Sequence, residues 1–299
     1  MNYERHLVDG RISIFLFHGV THPHGCAIRN YTRKHVEMDY FAKLIRQLKT
    51  SGTAISMDQV LQFHNSNEEL PPNPFAITFD DGFENNLSVA SPILDDEKVP
   101  ATFYITTDFV DSNRMGWIDR IEFAMEIRPH GRLSMPWGVR EFNCDQARRE
   151  LLSDIRMRVK RDRQIDNDAL ASDIQDQLGV PITFSSDHVL DRKLNWDNVK
   201  ALARNPLFIV AGHSHTHRIL EYLNDDELDA EIDTSLELLK NRGGIVSSHY
   251  SYPEGMSYCY SDRVITSLQK RGICCCPSAE EGTNLPPLDL FRLKRIMVT

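Results

Sequence analysis

The chain lacks the long apolar runs, paired cysteines and excess of positive charge that would mark several function classes. The run at residues 12–17, ISIFLF, is far too short to span a bilayer. The preceding MNYERHLVDG carries charges where a signal peptide would have an apolar core, so the expectation is a cytoplasmic chain without a membrane span. Six cysteines, at 26, 144, 259, 274, 275 and 276, form no CxxC pair, which argues against a disulfide framework or a zinc knuckle and for small, semi-buried thiols. Lysine and arginine total 34 against 43 acidic residues, a formal charge of -9, which speaks against a nucleic-acid partner. No internal repeat or low-complexity segment is present. What is there is ordinary: 299 residues, 41% hydrophobic and 26% charged, a globular composition with enough chain for one large domain or two smaller ones.

Short apolar runs alternate with helical patterns. Strands are expected at 12–17, 75–79 (FAITF), 101–105 (ATFYI), 208–211 (FIVA), near 249–252, near 273–275 and near 293–298. Helices are expected from 38 to about 51, from about 84 to 94, from about 225 to 241 with Gly243 and Gly244 as the stop, and from about 262 to 270. Strand and helix in turn imply a parallel α/β sheet or barrel. The rhythm breaks from about 111 to 193, where the chain is polar, charged and mostly helical in pattern, including RRELLSDIRMRVKRDR at 148–163. The reading is a single domain over 1–299 with a solvated helical insertion; a lid or partner surface is the alternative for a segment of this length.

In such folds the working residues lie just past the C-terminal ends of strands. In TFDDG, Asp80 and Asp81 follow FAITF; side chains of neighbours on extended chain diverge, so one carboxylate could hold a metal while the other reaches a water. The bland alternative is an N-cap and turn pair. In AGHSHTH, His213 and His217 share a face on a helical turn, whereas on an extended segment His213, His215 and His217 share one; either set can bind a metal. YPEG, at 252–255, offers backbone N–H groups for an oxyanion, and His18 ends the first strand. Each signal is modest alone, and their joint occurrence at strand ends is specific.

Taken together the residues resemble the polysaccharide deacetylase family, carbohydrate esterase family 4, with its NodB-type domain. TFDDG matches the first motif, HSHTH the His-Ser-x-Thr-His motif, and YPEG is similar to the third; VPATFYIT, LNWDNVKAL and the closing FRLKRIMV fit as well. The resemblance implies a distorted (β/α)7-type barrel and one divalent metal, most commonly zinc, held by Asp81, His213 and His217. It implies Asp80 as the base that activates water and the backbone N–H of Glu254 as an oxyanion donor. Two departures stand out. Many members open the third motif with an arginine that orients the catalytic aspartate; here that position is Ser251, and Arg295 is the candidate replacement. Many also supply a catalytic histidine near the C-terminus, yet no histidine follows His249; His18 in LFHGV resembles the branch that takes its acid from the first strand. The implied activity is removal of N-acetyl groups from an amino sugar, polysaccharide or glycan precursor. Hydrolysis of a small non-sugar amide, or a catalytically silent sugar-binding or scaffold protein, are the alternatives.

Overall fold

The structure is a computed structural model that describes residues 3–66 and 68–299. Its contacts divide into two compact units, Met1–His22, Lys34–Asn113 and Lys193–Thr299 in the first, and Pro23–Arg33 with Arg114–Arg192 in the second.

The first unit is built on a parallel sheet. Ser13–Phe17, Pro74–Phe79 and Ala101–Ile105 are buried at every position, the signature of strands covered on both faces. The order is Ile296–Met297, Ser13–Phe17, Pro74–Phe79, Ala101–Ile105, Phe208–Gly212, with the short Thr53–Ala54 also pairing with Pro74–Phe79. Phe15 stands opposite Ile77, and Ile77 opposite Ala101, so like rows of the strands align. Phe17, Phe79 and Phe103 stack across neighbouring strands at centroid separations of 5.3 and 5.0 Å. The helix Met38–Ser51 lays Phe41, Leu44, Ile45 and Leu48 against this layer, at the spacing of one helical face.

Beyond Phe208–Gly212 the sheet continues through irregular segments. Gly212 bridges Tyr250, and His249 bridges Cys275. The Cys276 N–H donates to the Leu290 carbonyl at 2.9 Å, Ser278 to Leu293 at 2.8 Å, and Arg295 to Glu280 at 2.9 Å. The chain then enters Ile296–Met297, which pairs with Phe15 and Leu16 and so closes the ring. This is a distorted barrel of the (β/α)7 kind. The segments expected as strands near 249–252 and 273–275 form single bridges instead, and the last strand shrinks to two residues. Pro253 follows the first directly and Pro277 follows the second after Cys276; neither can donate to a ladder, which limits pairing there.

Two expected helices are also modified. The segment at 84–94 is a π-helical turn, Asn86–Ala90, leading into Ser91–Asp96, because Pro92 has no N–H to continue an α pattern back to Ser88. Asp225–Leu238 starts at an Asn224–Glu227 capping box and ends in a π turn, Leu239–Gly243, stopped by Gly244 at φ 73°.

The second unit holds three helices, Trp117–Ile127, Asp145–Arg161 and Asn167–Gln177, around Ile121, Met125, Leu152, Ile155 and Ile174. It also contains an antiparallel hairpin, Gly131–Met135 with Gly138–Phe142, which the helical pattern of the sequence does not announce. The charged run at 148–163 is not a wholly solvated face: Asp145–Arg161 buries Arg148, Leu151, Leu152, Ile155 and Val159. No helix among the described residues is long and apolar enough to cross a membrane.

Candidate active site

The barrel strands deliver polar residues to one end. Pro74–Phe79 stops where the Asp80 N–H still donates to the Phe17 carbonyl at 3.0 Å. Asp81 and Gly82 then adopt left-handed backbone, φ 73° and 83°, which turns the chain and sends the two aspartate side chains apart. Phe208–Gly212 ends in the same way. Gly212 is required there, since a Cβ would meet the Tyr250 ring at 2.4 Å. In the loop that follows, Ser214 and His217 are both left-handed, φ 65° and 61°.

Three side chains converge. His217 Nε2 lies 3.1 Å from Asp81 Oδ1, and His213 Nε2 lies 3.6 Å from the same oxygen. One ligand atom from each of Asp81, His213 and His217 falls within 4.8 Å of the other two. His213 Nδ1 faces the Ser251 carbonyl at 2.9 Å, a contact that only the Nδ1–H tautomer makes, so Nε2 is left as a lone-pair donor toward the cluster. Asp81 Oδ1 is buried and receives no well-directed hydrogen bond. An orphaned carboxylate oxygen beside two imidazole nitrogens fits a divalent cation, and two nitrogens with one oxygen is a donor set that leaves coordination positions open. Burial disfavours the charged form of His217, but the Asp81 carboxylate outweighs it and holds that imidazole above its ordinary value. For His213 burial wins, and its pKa falls. His215 is outside the cluster; its Nδ1 meets the Thr107 hydroxyl at 2.9 Å.

Asp80 is held differently. Arg295, buried in the core of the barrel, donates to both its oxygens, at 2.8 and 2.7 Å. A guanidinium fork matched to a carboxylate fixes orientation as well as charge. Ser251 adds to the arrangement: its hydroxyl donates to Asp80 at 3.4 Å and accepts from Arg295 at 3.0 Å. Burial opposes ionisation of Asp80, yet the guanidinium more than offsets it and keeps the carboxyl below the usual carboxylate range.

His18 follows Ser13–Phe17 and is half-buried, its carbonyl held by the Asn86 side-chain amide at 2.8 Å. Burial pushes its imidazole down to about 4, against the pull of the nearby Asp81 carboxylate. Glu254 is half-buried in a left-handed turn, φ 61°, with Gly255 at 63° packed so closely that a Cβ would meet the Ala279 nitrogen at 2.6 Å. The electrostatic influence of Glu254 reaches His217. All the candidate residues, from His18 to Arg295, thus belong to the first unit.

Lys34 has no counterpart in the sequence reading. Its ammonium lies 3.2 Å from Asp81 Oδ2 and 4.7 Å from the Phe83 ring centroid. Burial of Asp81 is outweighed by Lys34 and His217, which hold its carboxyl well below the usual range. Nothing in YTRKHVE marks that lysine. Glu231 falls three residues after Leu228, on the apolar face of its helix, a placement unusual for a carboxylate.

Imidazoles and carboxylates at the C-terminal ends of parallel barrel strands, with one buried carboxylate clamped by arginine, make a site of the metal-assisted hydrolase class. A profile of the polysaccharide deacetylase family matches residues 67–275, and the chain belongs to that family. Among solved structures, a Streptococcus pyogenes deacetylase, PplD, in complex with acetate, is similar at 16% identity and a TM-score of 0.62, covering 97% of this chain and 93% of that one. IcaB from Ammonifex degensii is similar at 15% identity and 0.61, covering 98% and 94%. The BpsB deacetylase domain from Bordetella bronchiseptica follows at 18% and 0.59, covering 97% and 96%. At these identities the likeness is one of fold. No curated protein sequence matches the chain significantly. Family and cluster together support metal-assisted deacetylase chemistry on amino-sugar or glycan substrates.

Proposed function

We propose that the protein removes N-acetyl groups from an amino sugar or glycan, using one zinc ion held by Asp81, His213 and His217. The observation that carries this reading is the pairing of unlike aspartates. Asp81 keeps a buried oxygen open beside two imidazoles, while its neighbour Asp80 is gripped by Arg295 and lies 3.9 Å from His213 Nε2. When bound, the cation supplies Lewis-acid polarisation of the amide carbonyl and lowers the pKa of a water towards about 7.

The chain's own groups supply the rest. Asp80, ionised and held still by Arg295 and Ser251, accepts a proton from the attacking water. The Glu254 N–H, presented by its left-handed turn, donates to the oxygen on which negative charge gathers. His18 is neutral in the resting site; the developing negative charge favours its protonated form, so it takes up a proton from solvent and passes it to the leaving amine nitrogen, and Asp80 returns the proton of the water to solvent once acetate has left. The carbon–nitrogen bond breaks, acetate leaves, and the sugar keeps a free amine. Metal analysis combined with an acetate-release assay on N-acetylated oligosaccharides tests the reading. Stoichiometric zinc with acetate release is the expected outcome. Zinc without release from any N-acetylated sugar would overturn it.

A further inference from the structure

The loop that carries His213 and His217 is a strained one. It places two non-glycine residues, Ser214 and His217, in left-handed backbone, a conformation that costs on the order of 1–3 kcal/mol each and persists only where surroundings hold it. On one side it is held by the start of the helix Thr107–Ser112, whose Thr107 and Asp108 N–H groups donate to the Ser214 and His215 carbonyls at 3.2 and 2.9 Å. On the other side stands a single carboxylate. Glu231 Oε1 accepts the N–H of His215 at 2.9 Å and that of Thr216 at 2.5 Å, and the Thr216 hydroxyl donates to its two oxygens at 3.0 and 2.9 Å. Glu231 is buried, on a helix that contributes no other group to the site, and no arginine or lysine forms an ion pair with it among those described. Its charge is satisfied by the loop itself.

We propose that Glu231 is a positioning residue for the metal. It fixes the backbone midway between the two histidine ligands and so sets their spacing, and its buried negative charge adds attraction for a cation at the cluster. Both effects act in one direction, towards tighter binding. The inference rests on the metal reading above and goes beyond it, because Glu231 touches neither cation nor substrate.

The test is titration of the metal-free chain with Co(II) and Zn(II), read as dissociation constants by chelator competition and, for Co(II), as the visible ligand-field spectrum. E231Q removes the charge and puts an NH2 group, which cannot accept, in place of Oε2, the oxygen that takes the Thr216 hydroxyl, while its remaining Oε1 can still accept from the two N–H groups. Its dissociation constant should rise by about 10–100-fold, the usual consequence of losing an outer-shell partner, with an altered Co(II) spectrum. T216V removes only the hydroxyl contacts and should move both readouts the same way by less. It also carries the test should E231Q fail to fold. A wild-type chain that binds Co(II) while E231Q and T216V bind it equally well, with unchanged spectra, overturns the role of Glu231 alone. A wild-type chain that binds neither ion overturns the metal reading, and this inference with it.

Discussion

The two units both bury charge, and they do so to different ends. In the second unit the buried ions tie segments together. Arg120, with no exposed surface, donates to the Thr183 carbonyl, Asp168, Ser172 and Gln175. The half-buried Glu126 accepts the N–H groups of Ala27, Ile28 and Arg29 at 2.8, 2.9 and 3.2 Å, and Arg29 pairs with the buried Asp191. In the first unit the buried ions face one another at the strand ends and leave Asp81 Oδ1 open towards two imidazoles. Asp191 Oδ2 also lacks a donor, but among the described residues it is not part of any cluster of three metal-ligating side chains. Burying an ion is therefore no sign of a functional site. A carboxylate oxygen left open towards other metal-ligating atoms is one.

Breaking that contrast should have its largest effect at Asp81. D81A is expected to abolish both zinc binding and turnover, and zinc retained at full stoichiometry would count against its place in the cluster. H18A comes next. It should keep the metal and lose about 10²–10⁴-fold in turnover, the usual worth of general acid catalysis; near-normal acetate release would remove His18 from the mechanism.

A matched pair then compares the units directly. R295M and R29M each strand a buried carboxylate, Asp80 in one case and Asp191 in the other. Each should cost about 3–5 kcal/mol of folding stability by denaturant titration, because the partner charge remains buried and uncompensated. A loss well below this for R295M would mean that Asp80 is already relieved by its other neighbours.

The smallest effect concerns pH. Burial disfavours the Glu126 carboxylate, but three backbone N–H donors outweigh it and lower its pKa in the folded chain. A depressed folded pKa gives stability that is present above the ordinary carboxylate value, about 4.3, and is lost as pH falls through the lower folded value. E126Q should flatten the stability–pH curve below about pH 5 while leaving its shape near neutrality unchanged. An acid limb identical to that of the parent would show that the three donors do not favour the charged form.

Much of the barrel was legible because its strands announce themselves. FAITF and ATFYI are continuous apolar runs, and a parallel strand buried on both faces needs such a run. Each run stops at the first residue that cannot be buried cheaply, so Asp80, His213 and His18 stand at strand ends in the sequence as they do in the fold. The later segments were less legible. SHYSY and CCC look like strands, but the prolines behind them leave only isolated bridges. The hairpin at 131–142 went unseen because its outward residues are polar and its inward ones few. Lys34 and Glu231 left almost no trace, since one charged residue among several carries no mark of which partner it will meet.

The sequence by itself determined the order of the leading barrel strands and their helices, the chemistry of the candidate ligands and their place at strand ends, because those follow from local burial and spacing. Only the tertiary structure decided which atoms meet. It brought Arg295 to Asp80 across 215 residues, set Lys34 on Asp81, turned His215 away to Thr107 and placed Glu231 beneath the ligand loop. The physical reason is that a hydrogen bond or ion pair is made between positions in space. Closing the barrel fixes those positions, and chain separation does not.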